Sequence, residues 1–291
     1  MNLKMIKNNI LIQIEEFFNE KITVLNQITG GCINDAYKIK TAKGRIYFLK
    51  INNSPQPQMF ESEAAGLFEL KRANAINVPE VIHVSTNFLL LEYIPKGVKS
   101  KNFWEMFGRS FAMLHKFTAS SYGFYTDNFL GSNIQINHPG TSLTWSEFFF
   151  TNRLLFQFKL AEKNNLVDSL LRNSFIKLEK RINSILDDQV LPSLLHGDLW
   201  SGNFLVSEDG SAWLIDPAVY YGHREADLAM TKLFGGFDDT FYASYNNEFP
   251  LDKNHEYRES IYKLYHILNH LNIFGKSYYQ QAISLMNIYL K

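Results

Sequence analysis

The segment Leu194 to Asp216, LLHGDLWSGNFLVSEDGSAWLID, constrains this chain more than any other. It sets His196, Asp198 and Asn203 in an H-x-D-x-x-x-x-N frame. Thirteen residues after Asn203, Asp216 follows the apolar run Ala212 to Ile215. Phe204 to Val206 and Ala212 to Ile215 have strand character, and Glu208-Asp209-Gly210 supplies the turn between them. One short hairpin can therefore present Asp198, Asn203 and Asp216 together. Phosphoryl transfer asks for one carboxylate beside the attacking hydroxyl and two oxygen ligands for a metal. At average residue usage, H-G-D-x-x-x-x-N arises by chance in a chain this long on the order of one time in a thousand.

Within this frame Asp198 is the candidate base, able to orient a hydroxyl and accept its proton as the bond to phosphorus forms. Asn203 and Asp216 are candidate magnesium ligands, because hard Mg2+ takes oxygen donors and keeps several waters. His196 is assigned no chemistry; its expected job is to fix the loop through the backbone.

Composition narrows the remaining classes. The chain has 291 residues, 46% of them hydrophobic, enough for one substantial core or two lobes. Lys+Arg and Asp+Glu stand at 29 each, so the charge total suggests neither nucleic acid nor an anionic membrane as partner. The single cysteine, Cys32, excludes an intramolecular disulfide and a cysteine zinc cluster, and fits a reducing compartment. The first twenty residues break their apolar positions with Asn and Gln and carry Glu15 and Glu16, unlike a signal peptide. Apolar runs such as Phe88 to Leu91 are too short to cross a bilayer. A cytoplasmic protein is expected.

The fold class expected is α+β. Leu3 to Phe18 has helical spacing. Ile22 to Leu25, Ala36 to Lys40 and Ile46 to Ile51 predict a three-strand antiparallel meander, followed by a helix over Glu61 to Lys71 and strand character at Phe88 to Ile94. Past Pro95 the pattern is mostly helical. Helices are expected around Phe103 to Leu114, Phe148 to Leu160 and Leu166 to Ile185, and again from Ile261 to Leu271 and from Ala282 to Leu290, with a loop over Gly123 to Thr144. The boundary near Pro95 gives an N-terminal nucleotide-binding lobe, 1–94, and a larger, mainly helical catalytic and substrate-binding lobe, 95–291. A cleft between two such lobes suits a ligand.

Three elements of the N-terminal part fit a nucleotide. Lys50 ends an apolar strand and can reach phosphates, with Glu63 on the next helix as its partner; Glu61 competes, and helix geometry favours Glu63. The turn Gly30, Gly31, Cys32, Ile33, Asn34 can cover phosphates, although it lacks the Walker pattern. Glu92, Tyr93 and Ile94 form a hinge whose main chain can bond adenine. Cys32 raises the further hypothesis of a redox-sensitive thiol or an intermolecular disulfide, so both a monomer and a homodimer are open.

The order of these elements resembles the protein-kinase-like fold in its small-molecule form, and more closely the fructosamine kinase (ketosamine-3-kinase) family. The residues that carry the resemblance are GGCINDAYKI at 30–39, FLKIN at 48–52, ESEAAGL at 61–67, LLLEYIP at 89–95, HGDLWSGN at 196–203 and DPAVYYGHREADLAMTKLFGGF at 216–237. It spans roughly residues 20 to 280. HGDxxxxN is shared with aminoglycoside phosphotransferases; Trp200 and the run after Asp216 are more particular. The resemblance implies a bilobal kinase-like fold and ATP held by Gly30 to Asn34, Lys50 and the 92–94 hinge. It makes Asp198 the proton acceptor and places Asn203 and Asp216 on Mg2+. It implies transfer to the 3-hydroxyl of a ketoamine, as a small molecule or on a glycated protein lysine, and so deglycation. Trp200, Tyr220, Tyr221, His223 and Glu225 are then expected near the acceptor, with Arg224 and Asp227 bracing the loop. Asp216-Pro217 replaces the D-F-G of protein kinases, so an activation-loop switch is not implied. Two alternatives stand beside this one: an aminoglycoside- or choline-type phosphotransferase, and a nucleotide-binding pseudokinase, which the presence of Lys50, Asp198 and Asp216 disfavours.

Overall fold

A computed structural model describes residues 3–28, 34–52, 55–138 and 144–291. The Gly30 to Ile33 part of the expected phosphate-covering turn, with Cys32, lies outside the described residues.

The chain opens with α1 (Leu3–Phe18), β1 (Ile22–Ile28), β2 (Asp35–Thr41), β3 (Ile46–Ile51), α2 (Met59–Ala73), β4 (Val81–Ser85) and β5 (Phe88–Glu92). The expected three-strand meander is part of a five-stranded antiparallel sheet, ordered β1-β2-β3-β5-β4. Strand alternation sorts its side chains between two layers. Leu49 and Ile51 pack with Phe88 and Leu90 against Ile10 and Ile14 of α1. Phe48, Leu89 and Leu91 face the opposite way, toward Phe60, Ala64 and Leu67 of α2. Lys50 falls between Leu49 and Ile51 and so projects from the α2 side.

Beyond Pro95 the chain continues through α3 (Phe103–His115), β6 (Asn128–Leu130), β7 (Asn133–Gln135), α4 (Trp145–Phe149), α5 (Phe156–Lys163), α6 (Ser169–Glu179), α7 (Ile182–Ile185), β8 (Ser193–Leu195), β9 (Phe204–Val206), β10 (Ala212–Leu214), β11 (Tyr220–Gly222), α8 (Glu225–Leu233), α9 (Asp239–Glu248), α10 (His255–Phe274) and α11 (Tyr279–Asn287). Most of the helices lie beyond Pro95, together with three short two-stranded ladders. The apolar core does not stop there: one cluster joins Phe60 and Leu67 of α2 to Trp145, Leu195, Tyr262 and Tyr289. No helix among the described residues is long and apolar enough to cross a membrane.

Three local expectations are corrected. The loop predicted over Gly123 to Thr144 contains the β6–β7 hairpin. Its strands hold three residues each, and buried amides stand at positions where alternation leads one to expect apolar side chains. Asn128 Nδ2 donates to Val219 O at 2.7 Å and Gln135 Nε2 to Ala218 O at 3.0 Å, which ties the hairpin to the chain just after Asp216. The helix predicted over Phe148 to Leu160 is interrupted by a π-helical segment, Phe150–Leu155. That irregularity carries the fully buried Arg153, whose Nη2 donates to Asn137 Oδ1 at 2.7 Å. The helix predicted over Leu166 to Ile185 divides into α6 and α7.

Candidate active site

Strand β8 delivers the buried pair Leu194-Leu195 into the catalytic loop, paired with Tyr220 and Tyr221 of β11. His196 is fully buried. Its Nε2 lies 3.0 Å from Ile215 O, and the Asp198 amide donates to its Nδ1 at 3.3 Å. Those partners define the neutral tautomer with the proton on Nε2. Burial also holds the imidazole pKa below its ordinary value. His196 thus fixes the loop, as its place in the sequence suggests.

Gly197 has φ +84°, and a Cβ there would stand 1.9 Å from Ala218 O, so only glycine fits. The amides of His196 and Gly197 donate to the two carboxylate oxygens of Asp227 at 2.7 and 2.8 Å. Asp227 lies in the first turn of α8, buried, and 3.3 Å from His115 Nε2. Burial pushes its carboxyl up, but the hydrogen bonds and charge of its surroundings outweigh that and hold its pKa below the usual carboxylate value. Asp227 therefore braces the loop through main-chain amides. Arg224 braces elsewhere, donating to Phe249 O at 2.6 Å with its guanidinium 3.5 Å from that ring.

Asp198 follows. Asn203 Nδ2 donates to its carbonyl at 2.8 Å and to its Oδ2 at 3.0 Å. With the amide nitrogen turned to Asp198, the Asn203 oxygen is the end suited to a cation. Burial, and next the charge of Asp216, raise the Asp198 pKa well above the ordinary carboxylate value. The Ile215 amide donates to Asn203 O at 3.0 Å, joining the loop to the strand that leads to Asp216. Asp216 has φ +55°, a conformation that costs a non-glycine residue and persists where the surroundings enforce it.

Lys50 meets this group from the other side of the core. Its Nζ donates to Glu63 Oε1 at 2.6 Å and to Asp216 Oδ1. Burial works against the ammonium, but Asp216 and Glu63 outweigh it and raise the Lys50 pKa. Glu63, not Glu61, is the partner. Lys50 of β3 is thus brought to Asp198, Asn203 and Asp216 of the 194–216 segment. Among the described residues no cluster of three His, Cys, Asp or Glu side chains could hold a metal. A cation at this place would depend on the Asn203 amide, the Asp216 carboxylate and oxygens of a bound ligand, a donor set that suits Mg2+.

The other expected positions are more varied. Asn34 Oδ1 accepts from Asn52 Nδ2 at 2.9 Å, joining the start of β2 to the end of β3. Glu92 ends β5, and its carboxylate accepts from the Glu80 amide at 3.2 Å, which closes the strand end. The Lys38 ammonium lies 4.4 Å from the centre of the Tyr93 ring, and Ile94 is buried. Gly97 then bonds Val206 O at 2.8 Å, so the hinge chain is pinned to the catalytic hairpin.

Trp200, two residues past Asp198, is 37% exposed and is the one expected acceptor residue that faces solvent. Tyr220, Tyr221, His223 and Glu225 differ from it: all four are buried and engaged within the protein. The Arg153 guanidinium stands 4.1 Å from the centre of the Tyr220 ring. Tyr221 donates to Glu69, His223 Nδ1 lies 2.7 Å from the Tyr262 hydroxyl, and Glu225 takes two hydrogen bonds from Arg258 at 2.8 and 2.7 Å. Aromatic and charged residue types suggested a sugar site, but residue type alone does not report burial. A recess of about 280 Å³, lined by residues of α8, α9 and α10 such as Leu228, Lys232 and Tyr245, includes Glu225 but none of Lys50, Asp198, Asn203 and Asp216.

A sheet-bound lysine paired to a helix glutamate, set beside the candidate base Asp198 and the candidate metal ligands Asn203 and Asp216, fits a phosphotransferase of the protein-kinase-like fold. The solved choline kinase of Streptococcus pneumoniae shares that fold, with TM-score 0.63 and 18% identity over 97% of this chain and 99% of that one. The fructosamine kinase family matches residues 5–291, and the chain belongs to that family. A Synechocystis sp. protein described as a probable ketoamine kinase is 38% identical over 91% of this chain and 90% of its own length. The chloroplastic protein-ribulosamine 3-kinase of Oryza sativa subsp. indica is 39% identical over 93% of this chain and 80% of its own. A crystal structure from Thermobifida fusca, described as a fructosamine-3-kinase candidate, superposes with TM-score 0.89 at 28% identity, covering 97% of this chain and 99% of that one.

Proposed function

We propose that this chain is an ATP- and Mg2+-dependent ketoamine kinase that transfers the γ-phosphoryl group to the 3-hydroxyl of a sugar carried on an amine. The acceptor is a small ketoamine or a glycated lysine of a protein, and the 3-phosphate ester promotes breakdown that frees the amine. Family membership and the names of the relatives support the substrate class. The observation that carries the chemistry is Asp198, held by Asn203 beside the Lys50–Asp216 pair.

In this reading Lys50 holds the nucleotide phosphates, with Glu63 aiming it. Asn203 and Asp216 hold Mg2+, which when bound neutralises charge on the transferring phosphoryl group. Asp198 orients the acceptor hydroxyl and takes its proton. Its raised pKa makes its ionised form a stronger base than an exposed carboxylate. Trp200 offers the exposed aromatic face on which an acceptor can rest.

The test is a transfer assay with Mg·ATP across fructosamines, ribulosamines, aminoglycosides and choline. Preferred phosphorylation of ketoamines supports the reading. Transfer only to aminoglycosides or choline would replace it, and nucleotide binding with no transfer to any acceptor would make the chain a regulator.

A further inference from the structure

Helix α2 carries Glu63, which holds Lys50, and it lies directly on the chain that follows Asp216. A Cβ on Gly66 would stand 3.1 Å from Val219 Cγ2 and 3.4 Å from Pro217 Cγ, so the bare glycine lets the helix seat on that chain. One turn further on, Glu69 Oε1 accepts a hydrogen bond from the Tyr221 hydroxyl of β11 and another from Arg72 Nη2, the latter at 2.6 Å. Arg72 Nη2 also lies 3.3 Å from the Tyr221 hydroxyl oxygen. Tyr221 is 5% exposed and the Glu69 side chain 12%, so water competes poorly for these bonds. Successive turns of α2 thus meet Lys50 through Glu63, Pro217 and Val219 through Gly66, and Tyr221 through Glu69.

We propose that the Tyr221–Glu69 pair is a latch that positions α2, and that Tyr221 is a positioning residue for the nucleotide site. The inference rests on the kinase reading of that site. Lys50 stands between two carboxylates on different elements, Glu63 on α2 and Asp216 at the end of the catalytic hairpin. With α2 latched, Glu63 shares the ammonium. With α2 released, Lys50 turns to Asp216 alone and competes with a cation for that carboxylate. The strength of the latch is therefore read in the metal dependence of nucleotide affinity, a quantity that loss of packing elsewhere does not move in this way.

The experiment measures Mg·ATP binding by calorimetry in Tyr221→Phe, Glu69→Leu and the double variant, across a series of Mg2+ concentrations, with thermal unfolding alongside. Tyr221→Phe keeps the ring and removes only the hydroxyl. Each single variant is expected to bind Mg·ATP about tenfold more weakly and to need more Mg2+ for half-maximal binding. The double variant should be no weaker than the worse single one, because both remove the same bond. A folded Tyr221→Phe with wild-type affinity and wild-type Mg2+ requirement would overturn the latch, as would additive losses in the double variant. If Tyr221→Phe does not fold, Glu69→Leu decides on the same criteria. Binding is read without an acceptor. A wild type that binds Mg·ATP yet phosphorylates no ketoamine therefore removes the proposed substrate and leaves the latch standing, whereas one that binds no Mg·ATP removes both.

Discussion

The amide of Gly197 donates to Asp227 Oδ1 at 2.8 Å across 30 residues of sequence. The neighbouring amide of His196 reaches the other oxygen of the same carboxylate. One buried side chain on α8 thereby sets the direction in which the loop presents Asp198. His115 extends the support: its Nε2 faces Asp227 and its Nδ1 lies 2.7 Å from the Tyr245 hydroxyl. The candidate base is thus aimed by residues that themselves do no chemistry.

Replacing Asp227 by Ala leaves two buried amides without acceptors. Unfolding in urea should show a loss of about 3 kcal/mol, and turnover should fall with it. The Asp227 pKa is held below its unfolded value, so its stabilisation is present above the ordinary carboxylate range and fades as pH falls through the folded value. The difference between wild type and Asp227→Ala should therefore shrink in acid. A difference that stays constant from neutral pH into acid would contradict this role.

Asp198→Asn should keep Mg·ATP affinity while turnover drops by about a hundredfold or more, the effect of removing a general base. The folded-state pKa of Asp198 is raised, so its contribution to stability is full below the unfolded pKa and is lost as pH rises through the folded one. At neutral pH the variant should then be at least as stable as the wild type. Wild-type turnover in Asp198→Asn would remove the residue from the mechanism.

Turnover should rise with pH as Asp198 ionises, along a limb displaced upward from that of an ordinary carboxylate. The charge of Asp216 is one cause of the displacement. In Asp216→Asn the residual activity should show its acid limb at lower pH. A limb that stays put would mean that the two aspartates do not sense each other.

Asp216→Asn should also weaken nucleotide binding in the presence of Mg2+ far more than in its absence, measured by titration with ATP. Equal affinities with and without the metal would count against Asp216 as a ligand.

Chelation of divalent cations should abolish phosphate transfer, and added Mg2+ should restore it. Transfer that persists in excess chelator would contradict the assignment of Asn203 and Asp216.

Asp198, Asn203 and Asp216 were legible because they stand at short fixed spacings within one hairpin, where local geometry controls their separation. Lys50 was legible for a similar reason: alternation along β3 sends it to the face opposite Leu49 and Ile51. The burial of Tyr220, Tyr221, His223 and Glu225 was not legible, because a tyrosine or glutamate pattern looks the same at a sugar site and in a core. The β6–β7 hairpin escaped because buried Asn128 and Gln135 break the apolar alternation by which strands are recognised.

Residue order alone supplied the chemical inventory and its local arrangement: a candidate base, two candidate oxygen ligands and a strand-borne lysine, each placed by the repeat of its own hairpin or strand. Tertiary structure alone decided the partnerships. It gave Lys50 to Asp216 across 166 residues, the catalytic-loop amides to Asp227, and Tyr221 to Glu69 across 152. The physical reason is range. Backbone geometry fixes neighbours a few residues apart, whereas a buried hydrogen bond between distant segments exists only once the shared core has packed them together and excluded water.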